Sequence, residues 1–508
     1  MKLARLLAGL DYEGIEGDAE VEVSGLSYDS RKSGPGHLFF SLARAPERNR
    51  ANIEDALSRG ARAVVVRGGD AGAARPAVTI VRSERPRLLM GAAAARFFGS
   101  PSERIDLIGV TGTSGKTTST YLLQSMFEAA GRPTGIIGTI GTFIRGRKVY
   151  SGLTTPESLD IEASLREMER EGVRVAAAEV SSIGIAEGRA DHLNFRACLF
   201  TNLGRDHLDY HGTIENYFAA KLRLFAEILP RSRRSDAVAI VRGDDPYGQR
   251  ILNAVSGRKV SFGFEAGLDA HPIEYAASLS GIHAIISVLG RKITIDSSLV
   301  GEPNLLNILG ASAVSVALGI EPEAVEEGAR RCPGAPGRME AIAARPGVNA
   351  LVDYAHKPDA LEAVLRTVRK LTPGRIICVF GCGGDRDRGK RPIMGGIAAR
   401  LADVPIVTSD NPRSEDPIAI IREIEDGLAE EGRSRAMDAS GVGPRYYLVQ
   451  PDRRAAIRLG LEIASAGDTV LIAGKGHEDY QLLGSQVIHF DDREVVREIA
   501  AELSGAKH

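Results

Sequence analysis

The 508-residue chain carries 64 Lys and Arg against 66 Asp and Glu, a formal net charge of −2, and 43% of its residues are hydrophobic. That balance excludes a protein organised by bulk charge around a polyanion or a membrane surface, and the length suits roughly three domains. The four cysteines (Cys198, Cys332, Cys378, Cys382) lie in or beside apolar runs without CxxC spacing, no apolar run approaches a membrane span, and MKLARLLAGLDYEG lacks a signal-peptide pattern. The expectation is a reduced, cytoplasmic, α/β monomer with no nucleic-acid or membrane partner.

Residues 1–100 read as a first α/β unit. Strand-like runs Leu38–Leu42, Ala63–Val66 and Val78–Val81 alternate with helical stretches Ile53–Arg59 and Arg87–Phe98. Within it, Ser27-Tyr28-Asp29-Ser30-Arg31 precedes a Gly/Pro turn. Small hydroxyls and an Arg at a turn suit a polar ligand, and they suit equally a ligand-free Asx-type turn.

The second unit, residues 101–334, opens on the stretch around which the rest is organised, IDLIGVTGTSGKTTST over Ile105–Thr120. An apolar strand, Ile105–Val110, empties into a Gly/Thr/Ser-rich loop ending in Gly115-Lys116-Thr117-Thr118, and a helix-prone run, Tyr121–Ala130, follows. Strand, loop of backbone N–H groups, Lys, hydroxyl and helix N-terminus make a phosphate cradle. The strict Walker spacing would put glycine at position 110; Val110 stands there, with Gly109 and Gly112 around it, so this is a variant P-loop. Lys116 is expected between the β- and γ-phosphates, with the Thr117 and Thr118 hydroxyls placed for Mg²⁺. Next come Leu153-Thr154-Thr155-Pro156 before a helix near Glu157, and the strand Val173–Val180 ending in Glu179-Val180-Ser181-Ser182. A carboxylate at that strand end lies beside the P-loop, where Mg²⁺ would want it. The strand Ala197–Thr201 leads to Asp206-His207-Leu208-Asp209-Tyr210-His211, whose density of metal-ligating types favours metal or phosphate chemistry over a solvated loop. In the helix Ile214–Leu229, composition alone makes Lys221 a surface lysine. Asn304 enters the helix Ile308–Leu318 as an N-cap or a nucleotide contact.

The third unit, residues 335–508, repeats the βα alternation. Strands Ala350–Asp353, Ile376–Phe380, Val404–Ser409 and Thr469–Ala473 run into four polar or Gly-rich loops. Four such loops on one sheet edge argue for a ligand crevice. Gly432–Gly443 reads as a mobile polar insertion.

Taken together, TGTSGKTT (111–118), TTP (154–156), EVSS (179–182), TNLGRDHLDYHGT (201–213), YFAAKLRLF (217–225), GRME (337–340), DYAHKPDAL (353–361), VFGCGGDRDRGKRPIM (379–394), DNPR (410–413), AGKGHEDYQ (473–481) and FDDRE (490–494) span the whole chain. On this ordered set the sequence resembles the Mur ligases of peptidoglycan synthesis, and DNPR resembles their meso-diaminopimelate recognition motif. The resemblance implies three domains: an N-terminal UDP-sugar-binding α/β domain, a central ATP-binding P-loop domain, and a C-terminal Rossmann-like domain for the amino acid. It places ATP on Gly112, Thr113, Ser114, Gly115, Lys116, Thr117 and Thr118, with Asn304, Arg338 and Asp353 closing the nucleotide site. Mg²⁺ falls to Thr117, Glu179, His207 and Lys221, the last as a carbamate, and Lys116, Lys221, Glu179 and His207 carry the chemistry. The UDP-sugar dipeptide would touch Ser30, Thr154, Thr155, Ser181, Glu187 and Arg189. Diaminopimelate would lie on Arg386, Asp410, Asn411, Pro412, Arg413, Gly474 and Glu478. Three positions depart from the family pattern: Ile183 replaces a His, Glu187 stands where Gln is common, and Ala43–Asn52 lacks a glycine-bearing loop.

The implied activity is an ATP-dependent amide ligase that adds meso-2,6-diaminopimelate to UDP-N-acetylmuramoyl-L-alanyl-D-glutamate through an acyl phosphate. A lysine-adding ligase, a folylpolyglutamate synthase-like ligase and a P-loop switch protein are the rivals. DNPR argues against the first, Ser30 with the third-unit motifs against the second. No Asn here is followed by Lys, so the NKxD loop of a guanine-reading switch is absent.

Overall fold

Three main sheets carry the chain, and their strands are where its apolar runs are buried. The computed structural model describes residues 1–43, 45–68, 78–150, 152–438, 443 and 445–505. It has the expected α/β class, with mostly parallel sheets flanked by helices. The chain forms two compact units: one holds residues 1–271, 287–292 and 309–328, the other residues 272–286, 293–308 and 329–508.

In the first unit, a five-stranded sheet runs in the order Gly14–Glu16, Thr79–Arg82, Ala63–Val66, His37–Phe40, Gly25–Ser27. Only the Gly14–Glu16 edge is antiparallel. Its helices Pro46–Ser58 and Pro86–Phe98 both start on a proline, whose missing N–H costs nothing in a first turn. The first begins seven residues before the expected Ile53, because Pro46 and not the apolar pattern sets its start. That helix occupies most of the stretch lacking a glycine loop, of which Arg44 lies outside the described residues.

The second sheet of this unit has Asp106–Thr111 at its centre, between Phe195–Phe200 and Val175–Glu179, both parallel to it. Burial on both faces explains why the strand reads as an unbroken apolar run. Thr134–Gly138 continues the sheet beside Val175–Glu179, and Val238–Arg242 beside Phe195–Phe200. Because these strands are parallel, their carboxyl ends share one edge: Glu179 pairs in register with Val110, and Phe200 with Thr111. The helix Lys116–Ala129 leaves that edge five residues earlier than its apolar pattern begins. The helix expected over Ile214–Leu229 is regular only to Arg223. A π turn, Leu224–Ile228, and a 3₁₀ turn, Leu229–Arg231, finish it where Pro230 ends the ladder.

The second unit holds a seven-stranded sheet, ordered Glu340–Arg345, Val348–Asp353, Thr469–Ala473, Ile376–Phe380, Val404–Val407, Tyr446–Val449, Ser434–Arg435. Its central pairs are parallel, so Asp353, Phe380, Val407 and Ala473 end together. The stretch Gly432–Gly443 contains the edge strand Ser434–Arg435, and its residues 439–442 lie outside the described residues. All four cysteines are free and buried. Among the described residues, no helix is long and apolar enough to cross a membrane.

Candidate functional site

In the first unit the P-loop is built by two glycines. Gly112, at φ +152°, passes so close to Thr201 Oγ1 and Asn202 that a Cβ would collide, and Gly115, at φ +84°, turns the loop into the helix. Asn202, which sequence reading left without a role, clamps the loop: its Oδ1 accepts from Ser114 N at 3.0 Å and its O from Thr113 N at 3.0 Å. Lys116 folds back on the loop, donating to Gly112 O at 2.8 Å and Thr113 O at 2.9 Å. Thr117 and Thr118 are buried at the helix start.

Lys221 is not the surface lysine that composition suggests. It is 1% exposed, Nζ donates to Gly112 O at 2.9 Å, and Nζ lies 4.6 Å from the centre of the Tyr217 ring. Burial, and then the charge of Lys116, push its pKa well below the ordinary lysine value. Tyr217 also meets the P-loop through its hydroxyl, 3.0 Å from Thr113 Oγ1.

Glu179 is buried at its strand end, with Oε1 accepting from Thr139 N at 2.9 Å and Oε2 from Thr139 Oγ1 at 3.0 Å. Thr139 Oγ1 in turn lies 3.1 Å from Thr154 Oγ1. Thr155 Oγ1 donates to Glu179 O at 2.9 Å and accepts from Ser181 N at 2.9 Å, and Arg189 donates to Thr155 O at 3.1 Å. The expected dipeptide contacts Thr154, Thr155, Ser181 and Arg189 are therefore one connected cluster beside Glu179. Glu187 accepts from Tyr210 Oη at 2.8 Å and is ion-paired with Arg87, a residue the sequence did not single out. Arg87 and Arg189 both reach Glu157, at 3.0 and 3.2 Å. Ser30 is not joined to this cluster by any hydrogen bond recorded among the described residues. It sits in the Asx-type turn, where Asp29 accepts from Arg31 N at 3.1 Å, and its hydroxyl holds Asp55 below the usual carboxylate range.

His207 adopts a left-handed backbone, φ +52°, with Nε2 3.4 Å from Asp206 Oδ2. His211 Nε2 lies 3.0 Å from Ser182 Oγ, and burial lowers its pKa. Among the described residues, no three His, Cys, Asp or Glu side chains gather into a metal cage.

In the second unit, Asn304 is neither N-cap nor exposed. It lies inside the first turn of the helix Glu302–Ala317, buried, donating to Val300 O at 2.9 Å and accepting from Asn307 at 3.0 Å. Asp353 is buried and accepts from Met339 N and Ala355 N, both at 2.8 Å. Burial raises its pKa, and Arg338, stacked 4.7 Å from the Tyr354 ring centre, opposes that rise. The DNPR loop follows Val404–Val407. Arg413 donates from Nη1 to Gly384 O at 2.8 Å and to Asn411 O at 3.4 Å, and its own backbone, at φ +53°, bridges to Leu483. Carbonyls fix the guanidinium without neutralising it. Three carboxylates on these loops are engaged elsewhere: Glu415 accepts from Arg391 at 2.8 Å, which holds it down at about 2, Asp385 accepts from Ser414 Oγ at 2.7 Å, and Asp416 caps a helix. A Cβ at Gly384 would strike Pro412 O, so position 384 has to be glycine for the two loops to meet. Gly474, at φ +122°, lies against Asp410, and Glu478 accepts from Asn411 Nδ2 at 2.9 Å. Arg386 is exposed and donates to the adjacent Asp385 O at 3.0 Å.

Residues 110–315 match the Mur ligase middle domain, and residues 337–476 match the Mur ligase glutamate ligase domain. A curated UDP-N-acetylmuramoyl-L-alanyl-D-glutamate--2,6-diaminopimelate ligase from Geobacter metallireducens is 42% identical over 511 residues, covering 99% of each chain. The chain belongs to the Mur ligase family. A Clostridium tetani protein of the same name is 37% identical, covering 99% of this chain and all of its own. A solved structure with that name superposes at a TM-score of 0.70 with 32% identity, covering 99% of both chains. The MurF ligase of Thermotoga maritima in complex with ADP, 18% identical at a TM-score of 0.59, shares the fold.

In this Mur ligase, Thr139, Asn202, Tyr217 and Arg87 are the site neighbours that sequence reading missed. Each acts through a partner distant in the chain, and only Tyr217 left a local signal: it sits one helical turn before Lys221, on the same face.

Proposed function

We propose that this Mur ligase forms the amide between UDP-N-acetylmuramoyl-L-alanyl-D-glutamate and meso-2,6-diaminopimelate, at the expense of ATP, in the cytoplasm. The dipeptide's terminal carboxylate attacks the γ-phosphorus, and the β–γ bridging bond breaks to release ADP. Lys116, at the loop that would cradle the phosphates, supplies fixed positive charge for the transferring group. The amine of the incoming amino acid then attacks the acyl carbon, phosphate leaves, and the amine loses its proton. No covalent nucleophile from the protein is needed.

The donors fit Mg²⁺. Thr117 and Glu179 offer buried hard oxygens, and the two bonds from Thr139 leave Glu179 with lone pairs to spare. Such an ion would neutralise phosphate charge during transfer. As an ammonium, Lys221 would be the wrong charge beside Lys116 and a bound Mg²⁺. Burial and the charge of Lys116 push its pKa down, which favours the neutral amine that adds to carbon dioxide, and the carbamate would present two oxygens in place of a cation. Thr154, Thr155, Ser181, Glu187 and Arg189 form the dipeptide's seat in this reading.

The observation that carries the amino-acid assignment is the guanidinium of Arg413, held by carbonyls and left charged. Diaminopimelate differs from lysine by a carboxylate at the far end, and a planar fork grips a carboxylate at two points. A charge-assisted bond is worth about 1.5–3 kcal/mol, or roughly 10- to 150-fold in affinity. The test is kcat/KM for meso-diaminopimelate and for L-lysine in wild type and Arg413→Ala. Wild type should prefer diaminopimelate and the variant should lose most of that preference. A variant that discriminates as well as wild type would refute the assignment.

A further inference from the structure

Lys475 belongs to the AGKGHEDYQ loop, and no role was assigned to it from sequence. Its side chain is fully buried, at 0% exposure. Nζ donates to Asn411 Oδ1 at 3.1 Å and lies 3.6 Å from Asp410 Oδ1 and 3.5 Å from Glu478 Oε2. The ring of Tyr480 stands 5.6 Å away. A lysine with no exposed surface is rare and costly unless paired, and here a single ammonium faces two carboxylates.

Its neighbours depend on it in two ways. Asn411 is spent entirely inside the protein: Oδ1 accepts from Lys475 and from Leu482 N at 3.0 Å, and Nδ2 donates to Glu478 Oε2 at 2.9 Å. Asn411 is therefore a strut between the DNPR loop and the strand Tyr480–Leu483, and Lys475 fixes which way its amide points. Asp410 is 7% exposed, and among the described residues its Oδ1 accepts no hydrogen bond, although it lies within ion-pair distance of Lys475. Burial and then Asp410 push Glu478 up, and Lys475 opposes them. Beneath the cluster the buried pair Arg453–Asp492, bonded twice at 2.7 Å, is neutral as a unit and donates to Ala473 O at 3.1 Å, next to Gly474.

We infer that Lys475 is a positioning residue for amino-acid selection: an internal counter-ion that lies between Asp410 and Glu478 and orients Asn411, so that this end of the pocket takes one ammonium group. Two carboxylates against one lysine leave one negative charge. A substrate ammonium satisfies it and the unbonded Asp410 oxygen together. Arg413 supplies the opposite charge at the DNPR end, so the pocket is matched to a group carrying both an ammonium and a carboxylate. The inference rests on the reading of this loop cluster as the diaminopimelate site.

The test is Lys475→Met, with KM measured separately for ATP, for the UDP-sugar dipeptide and for meso-diaminopimelate. The amino-acid KM should rise about tenfold or more, the value of one charge-assisted contact, while the other two KM values stay within a factor of two. Lys475→Gln, which keeps a donor for Asn411 but not the charge, should give the same split and serves where the Met variant does not fold. An amino-acid KM within twofold of wild type overturns the inference. So does a parallel rise in all three KM values, which marks a structural role only. Asp410→Asn separates the two layers: if it weakens the amino acid while Lys475→Met does not, the pocket stands and the role of Lys475 falls. If neither does, the pocket assignment itself falls.

Discussion

Gly138→Ala tests whether the position of Glu179 matters to catalysis, because the three atoms nearest the added methyl all belong to Glu179. Gly138 ends the strand Thr134–Gly138 with an ordinary extended backbone, so alanine brings no conformational strain there. Its Cβ, however, would strike Glu179 Oε1 and come within 2.9 Å of Cδ and 3.0 Å of Cγ. Carbon pairs pack best at about 3.5–4.0 Å, so the carboxylate has to retreat by roughly 0.6–1 Å. It cannot do so freely, since Thr139 N and Oγ1 hold its two oxygens at 2.9 and 3.0 Å. Overpacking of this kind costs about 1–3 kcal/mol of stability. A misplacement of about 1 Å in a charge-stabilising site costs on the order of 10²-fold in rate. The assay is ADP release with all three substrates, repeated across a Mg²⁺ titration, beside a thermal melt. The expected result is a folded protein with kcat down about 10²-fold and a higher Mg²⁺ requirement. A variant with kcat within a small factor of wild type and an unchanged Mg²⁺ requirement would show that Glu179 does not act on the metal.

Lys221→Ala should be nearly inactive, and a small carboxylate such as formate should restore part of the activity by filling the vacated anion site. Lys221→Arg should stay inactive, since a fixed cation is the wrong charge beside Lys116 and a bound Mg²⁺; full activity in the Arg variant would dispose of the carbamate. Glu162 predicts a pH effect on stability: it is fully buried, neither of its oxygens finds a hydrogen-bond partner among the described residues, and burial pushes it up to about 8 from an ordinary 4.5. The folded protein keeps this proton where the unfolded chain has lost it, so wild-type stability falls as pH rises from about 4.5 to 8. Glu162→Gln should abolish that fall and melt higher than wild type at pH 8.5, and a variant whose melting temperature tracks wild type across the range would count against a buried neutral Glu162.

The sheets and the P-loop were legible because their signals are local. A strand buried on both faces is a continuous apolar run, and a phosphate loop is a fixed string of glycine, lysine and hydroxyl residues. Where a helix begins was less legible: Pro46 and Lys116 start helices well ahead of the apolar pattern, since the first turn at Pro46 is exposed and the one at Lys116 buries hydroxyls, Thr117, Thr118 and Ser119, in place of apolar side chains. Lys221 shows a different failure. Composition treats lysine as a surface residue, but position 221 lies three and four residues after Phe218 and Tyr217, both buried, and so on the inward stripe of its helix. Reading the stripe before the residue type would have placed it. For Asn411 and Lys475 no such reading exists, because their partners are about 65 residues apart in the chain and only the parallel sheet edge unites them.

Backbone conformation is the layer the sequence hides most completely, and it singles out the site. Among the described residues, seven non-glycine residues have positive φ, and four of them, His207, Met339, Asp385 and Arg413, fall in the loops carrying the family motifs. Each left-handed residue costs about 1–2 kcal/mol and persists only where its surroundings over-determine it. Arg413 shows how. Its N–H donates to Leu482 O at 3.1 Å and its O accepts from Gly484 N at 2.8 Å, so the strand Tyr480–Leu483 and its turn grip the residue on both sides. Glycine would relieve the strain at this position, but it has no guanidinium to offer. A backbone built to hold an arginine in a conformation that arginine disfavours is best explained by what that side chain must meet.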